Sequence, residues 1–408
     1  MPAGAPAQPV RARTKVFFLL AGIFAGYVFA ELLANVYDFV RPPEHNSYWV
    51  YEDSGRTVHF DPILGHRLAT TPSRVAALSF GRVKFIGVLK GNSQGVQSRF
   101  DFGPERTSPG AKRVAIFGDS YTAGAEMEWN WPDRIHQAAS DRGEPLDILN
   151  FSLDGWGLAN WSHVVTHMLE PQNYELDALV FAVWNVDLDR KYHFSDHRGY
   201  DRWAGGHATS WDPETYPRTA EEARPLQKLS DFTYIVSHEQ FEQALRGEWA
   251  PPVTRQFRLH LTHAITARLA RWLRQRDNSR PAPGPVAFDP GRERLIQDIR
   301  RYAEARHIPV LVVYLPTLDT AARTRAPGRA MEESKLFAKE IGGDFVDGRQ
   351  AYANMTAAQL KNEWRTFDYH WNEAGSDRFA KFMHKILIDW LASRAAAPKN
   401  SKPAEAPK

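Results

Sequence analysis

The sequence predicts an α/β protein built on a parallel sheet, and three observations carry that expectation. First, residues 114–117, 178–184 and 309–315 are continuous apolar runs without the alternation of a half-solvated strand. Such runs suit strands buried on both faces, as parallel sheets bury them. Residues 146–151 and 343–347 read as two further strands. Second, helical stretches at 131–142, 158–169 and 292–306 separate these runs, and strands alternating with helices imply right-handed crossovers between parallel neighbours. Third, the first run ends abruptly in Gly118-Asp119-Ser120. Ligands of open α/β sheets bind at the carboxyl ends of strands, and Ser120 stands at one.

From the amino end, residues 1–15 are small and polar and close on Arg11, Arg13 and Lys15. An apolar stretch from Val16 to about Val36 follows, with one charge, Glu31, near its far end where it can reach the interface. A helix of that length spans about 30 Å, the thickness of a bilayer core. The cations before it predict a cytoplasmic N-terminus (1–15), an inner-membrane span (16–40) and an exported, periplasmic remainder. The rival is a signal peptide cleaved after Val28-Phe29-Ala30. The apolar pattern continues through Leu32, Leu33, Val36 and Val40, which favours the uncleaved anchor.

Residues 42–110 read as a β-rich accessory segment. Residues 82–90 have strand composition, and 91–95 form a turn. The segment is expected to pack against the first sheet strand, and no chemistry is visible in it. The α/β part occupies 111–394, with an insertion at 187–290. Residues 187–218 carry Tyr192, Trp203, Trp211 and Tyr216 among His193, His197, His207, Asp187, Asp189, Asp196 and Asp201. Their spacing matches no metal-ligand pattern, and a loop-like, solvent-exposed lid over the cleft is the expectation. Residues 255–276 read as an amphipathic helix with an arginine-rich face. Two readings stay open for it: a helix lying on anionic lipid, or a solvated cationic face on a helix packed against the domain. The last helix covers 373–393, and the tail 395–408 is Ala/Pro/Lys-rich and expected to be disordered.

The charges nearly cancel. With 51 basic and 48 acidic residues the net charge is +3, which argues against a nucleic-acid binder. The chain has no cysteine, so disulfides and thiolate metal sites are excluded.

Four pieces fall at one sheet edge: Ser120 after the first strand, Gly155 after the second, Asn185 after the third, and His370 with Asp368 before the last helix. Acyl transfer needs these types. A histidine takes the hydroxyl proton as attack proceeds, and a carboxylate orients the imidazole and stabilises its cation. The oxyanion needs donors, here the backbone N–H groups of Ser120 and Gly155 and the Asn185 amide.

In this order and context the residues resemble the SGNH (GDSL-type) hydrolases, over about residues 111–185 and 290–393. Asn150 in the second block, and Asn372 and Gly375 after the histidine, belong to the resemblance. The apolar helix followed by a β-rich segment ending in the turn Asn92-Ser93-Gln94-Gly95 looks like the family's membrane-anchored bacterial branch. The resemblance implies a flavodoxin-like three-layer α/β/α sandwich, with Ser120 as nucleophile, His370 as base, Asp368 as its partner, and no cofactor. It also implies an oxyanion hole of Ser120, Gly155 and Asn185. Two departures stand out. Val183-Trp184-Asn185-Val186 occupies the place where the family often writes Gly-x-Asn-Asp, and Asp368 precedes the histidine by two residues rather than three. The expected activity is that of an exported, membrane-anchored serine esterase on a small-molecule or carbohydrate ester. O-acyl transfer to an envelope polysaccharide, or a non-catalytic binding module on the same fold, are the alternatives.

Overall fold

A computed structural model of the chain describes residues 12–40, 47–53, 57–79, 81–106, 109–197, 202–251, 262, 265–266, 268, 286–324, 328–368 and 370–396. They fall into two compact units. In the first, Ala12–Val40 is one helix. Its segment Thr14–Val36 has a mean hydropathy of 2.2 and is long and apolar enough to cross a membrane. Glu31 does not stand free on it. Its carboxylate accepts the Tyr27 hydroxyl at 2.9 Å and the backbone N–H of Thr262 at 3.0 Å. The amphipathic helix expected at 255–276 lies outside the described residues, apart from Thr262, Ile265, Thr266 and Arg268.

The second unit holds thirteen described strands: β1 (Tyr48–Glu52), β2 (Val58–Asp61), β3 (Gly65–Leu68), β4 (Ser73–Ser79), β5 (Arg82–Leu89), β6 (Lys112–Gly118), β7 (Leu146–Ser152), β8 (Ala178–Val183), β9 (His193–Asp196), β10 (Arg202–His207), β11 (Lys228–Val236), β12 (Val310–Tyr314) and β13 (Asp344–Asp347). Five of them form a sheet in the order β13-β12-β8-β6-β7, with every pairing parallel. Numbered among themselves, these strands run 2-1-3-4-5, the flavodoxin-like doubly wound order. The expected α/β class with a parallel sheet is what the chain adopts.

Alternate residues of β6 feed opposite cores. Val114 and Ile116 pack with Trp131, Ile135, Phe379 and Met383 from the helices Trp131–Asp141 and Glu373–Ala396. Ala115 and Phe117 pack with Leu158, Leu295 and Phe337 from Leu158–Val164, Pro290–Ala305 and Gly328–Glu340. These are the three layers. Phe117 stacks on both Phe151 and Phe181, with ring centroids 5.6 and 5.0 Å apart, so the sheet is pinned just before the turn that carries Ser120.

A second sheet of six strands runs β5-β4-β1-β11-β10-β9. It joins the segment at 48–89 to strands from the insertion, and it corrects one expectation. Residues 187–218 are not simply loop: β9 and β10 lie in this sheet, and Tyr192, Phe194 and Tyr216 are buried. Gly205, Gly206 and the flanking histidines hide the strand pattern there, because strand propensity reflects packing more than backbone preference. The segment at 48–89 pairs with no strand of the parallel sheet, while Tyr51, Leu68 and Leu89 belong to one buried cluster with Ala115 and Phe117 of β6. It meets the α/β layers just past Ser120, where the Val88 N–H donates to the Glu126 carbonyl at 3.0 Å.

Candidate active site

β6 ends at Gly118, and the chain turns at once into the single helical turn Ser120–Ala123. Asp119 caps that turn, its carboxylate accepting the Tyr121 N–H at 2.9 Å. Asp119 satisfies an otherwise orphaned helix donor and fixes Ser120 as the first helical residue. Gly124, at φ +95°, ends the turn in the left-handed region that glycine favours.

His370 arrives from the other end of the chain. Asn372 caps the last helix by accepting the N–H groups of Ala374 and Gly375 at 3.0 and 3.1 Å, which sets where the preceding residue stands. The imidazole lies on the Tyr121 ring at 4.7 Å, and Tyr121 stacks on Trp184 at 5.1 Å. His370 Nε2 then sits 2.8 Å from Ser120 Oγ. On its far side Nδ1 lies 3.1 Å from Asp368 Oδ2. That contact is an ion-pair distance with an off-line N–H direction, a looseness common before substrate binds. The other oxygen, Oδ1, accepts the backbone N–H of His370 at 3.2 Å. The two-residue spacing therefore suffices: Asp368 folds back on both the backbone and the ring of His370.

Electrostatics follow from this packing. Burial pushes the His370 pKa down, but the close Asp368 carboxylate outweighs it, so the imidazole holds its proton above the ordinary histidine range. Burial pushes Asp368 up, yet His370 and Arg365 outweigh that and hold its carboxyl below the usual range. An ionised carboxylate behind a basic imidazole, in contact with a hydroxyl, can draw the hydroxyl proton as oxygen attacks a carbonyl.

Strand register places the two loops expected to supply oxyanion donors. Gly118 pairs with Ser152 and Phe117 with Phe181, so Gly155 and Asn185 leave the sheet at the same edge as Ser120. Gly155 has φ +76°, and a Cβ there would lie 2.7 Å from the His193 ring, so no other residue fits without displacing that ring. Asn185 is solvent-exposed. Its loop is braced by Asp187, whose carboxylate accepts the Trp184 N–H at 2.7 Å. The acid absent right after Asn185 is thus supplied one residue later. Arg190 gathers all three loops: Nη1 lies 3.0 Å from Asp119 Oδ2, 3.0 Å from Asp187 Oδ1 and 2.9 Å from the Trp156 carbonyl. Burial, with the Asp119 charge added, pushes Asp187 well up.

Beside Ser120 lies a small pocket whose lining includes His66, Gln97, Glu126, Asp154 and Trp203. It draws on both sheets. A wider groove between Trp131–Asp141 and Glu373–Ala396 includes neither Ser120 nor His370. Among the described residues no group of three or more His, Cys, Asp or Glu is arranged to hold a metal ion. His66 and His193 instead pack ring to ring at 5.6 Å, and burial drives His66 down to about 3.

Sequence reasoning missed Arg190, Arg365, Glu126 and Tyr51. Arg365 sits three residues before Asp368 and donates to it at 3.2 Å. Tyr51, from the segment in which no chemistry was visible, donates its hydroxyl to Glu126 at 2.8 Å. An Asn-x-Asp spacing after β8 is the signal that could have pointed to Asp187; the arginines carry none.

No family model and no curated protein matches the chain. Among solved structures, the chain is similar to the psychrotrophic esterase EstA from Pseudoalteromonas sp. at 9% identity and a TM-score of 0.34, covering 69% of this chain and 99% of that one. It is similar to the acetyl xylan esterase AlAXEase at 11% and 0.35, covering 68% and 100%. It is similar to the lipase/acylhydrolase from Enterococcus faecalis at 10% and 0.31, covering 71% and 100%. Likeness this distant leaves the chemistry to be read from the chain's own residues.

Proposed function

We propose that the chain is a serine esterase of the SGNH type, exported and held at the membrane by the helix Ala12–Val40. The observation that carries this reading is the 2.8 Å contact between His370 Nε2 and Ser120 Oγ, made by residues 250 positions apart. Ser120 Oγ attacks the ester carbonyl while His370 Nε2 takes its proton. Asp368 stabilises the imidazolium. The N–H groups of Ser120 and Gly155 and the Asn185 amide receive the oxyanion. The C–O bond to the alcohol then breaks, and the alcohol leaves with the proton from His370. Water attacks the acyl-Ser120 ester by the same route in reverse order, freeing the acid.

The substrate reading is a carbohydrate ester. Trp49, Phe85 and Phe367 form a half-buried aromatic group beside the base loop, with Trp49 and Phe367 ring centroids 5.5 Å apart. Flat apolar surface next to a polar reacting centre suits a sugar ring, which presents an apolar face and polar rim. The test is turnover of a short-chain aryl ester and of an acetylated glycan by the full chain and by Ser120→Ala. Equal turnover by both forms contradicts the reading. Formation of a new sugar ester in place of free acid moves it from hydrolysis to acyl transfer.

A further inference from the structure

We propose that Arg365 and Glu126 are positioning residues for the base: Arg365 holds Asp368 against His370, and Glu126, fixed by the six-stranded sheet, holds Arg365. The inference rests on the reading of Ser120 and His370 as the reacting pair.

Arg365 is buried, with 2% of its side chain exposed. Nη1 donates to Asp368 Oδ2 at 3.2 Å and lies 3.8 Å from Glu126 Oε2. Nη2 donates to the Ala125 carbonyl at 2.6 Å. Its backbone N–H donates to the His370 carbonyl at 2.8 Å. The guanidinium lies 3.9 Å above the Phe85 ring of β5. One cation thus touches the base loop, the loop after the nucleophile and the second sheet. A planar fork of donors does this; a lysine ammonium offers a single point.

The nucleophile's loop needs such holding. Ala125 and Glu126 both have positive φ, +40° and +63°, and neither is glycine. Backbone of this kind persists where its surroundings over-determine it. Here Arg365 binds the Ala125 carbonyl, the Val88 N–H binds the Glu126 carbonyl, and the Tyr51 hydroxyl binds the Glu126 side chain. The second sheet is therefore part of the machinery that sets the distance between Ser120 and His370.

The charges make the role measurable. Those facing His370 are Asp368, Asp119, Arg365 and Glu126. Arg365 favours the neutral imidazole, whereas an ionised Glu126 favours the cation. Burial raises the Glu126 pKa to about 7, so its charge changes in the working range. Loss of the Arg365 charge should let His370 hold its proton to higher pH, and loss of the Glu126 charge should do the reverse.

The experiment measures kcat and KM against pH, on a short-chain aryl ester, for the full chain and for Arg365→Met, Arg365→Lys and Glu126→Gln. Arg365→Met is expected to lower kcat at least about tenfold, with a smaller change in KM, and to move the acid limb of kcat/KM to higher pH. Arg365→Lys restores the limb but not the full kcat. Glu126→Gln, which keeps the acceptor for Tyr51, moves the limb to lower pH. If Arg365→Met does not fold, the other two variants carry the test. Wild-type limbs in Arg365→Lys and Glu126→Gln with unchanged kcat overturn the proposal, as do limbs displaced in the same direction by Arg365→Met and Glu126→Gln. Labelling of wild-type Ser120 by a fluorophosphonate separates the two failures. A labelled serine with unmoved limbs defeats the positioning roles alone, and an unlabelled serine defeats the reading of the site.

Discussion

The two sides of Ser120 are each held by an arginine, and the two arginines work differently. Arg190 makes its hydrogen bonds and ion pairs to the loops of the parallel sheet. It binds Asp119, Asp187 and the Trp156 carbonyl, and so ties together the three loops that leave β6, β7 and β8. Arg365 reaches beyond those loops. It binds Asp368 and lies between the nucleophile's loop and Phe85 of the second sheet. Asp119 and Asp187 are fully buried and share one cation. Asp368 has two side-chain partners, Arg365 and His370, the proposed base. On the proposed reading, the oxyanion side is thus a stability problem, and the base side is a problem of proton affinity.

Four substitutions sharpen that contrast. The largest effect belongs to Asp368→Asn, which leaves an imidazole without its counter-charge. We expect kcat on an aryl ester to fall roughly 10³- to 10⁴-fold, with the acid limb of kcat/KM moving down, because the wild-type His370 pKa is raised by Asp368. An unchanged limb would show that Asp368 only caps the loop. Next, Arg190→Met strands two buried carboxylates, at a cost of about 3–5 kcal/mol of unfolding free energy. The sign with pH follows from Asp187, whose folded pKa is already above its unfolded value. A carboxyl of that kind loses stability as pH rises, so urea unfolding should show the deficit shrinking on acidification. A deficit independent of pH would break the account of Arg190. Third, Asn185→Ala removes one proposed oxyanion donor, and the account expects a loss of about 3 kcal/mol of barrier stabilisation, roughly two orders of magnitude in kcat, with KM little changed. A wild-type kcat would remove Asn185 from the site. The smallest effect is that of Phe367→Leu, which thins the aromatic group for about 1 kcal/mol. The KM for an acetylated glycan should rise roughly fivefold while that for an aryl acetate stays put. Equal effects on both substrates would count against the sugar platform.

The contrast also explains what could be read from the sequence. Three strands of the parallel sheet, β6, β8 and β12, were legible because burial on both faces leaves an apolar run that needs no partner to be recognised, whereas the edge strand β13 is half-buried throughout. The loop residues Ser120, Gly155, Asn185 and His370 were legible because each follows or precedes such an element at a fixed offset. The second sheet was half legible: β5 carries a strand pattern, but β9 and β10 mix histidine, glycine and charge, and their partner strands lie elsewhere in the chain. The two arginines were not legible at all. Arg190 meets Asp119 across 71 residues and Arg365 meets Ala125 across 240, and among 51 basic residues nothing local distinguishes them. Charge pairing is a property of the folded chain, and it enters the sequence only as composition.

The most direct measurement is active-site labelling of the full-length chain with a fluorophosphonate, followed by peptide mapping. The account predicts covalent label on Ser120 in the wild type and none in His370→Ala at the same concentration and time. A folded wild-type chain whose Ser120 remains unlabelled, or a His370→Ala variant labelled at the wild-type rate, would contradict it.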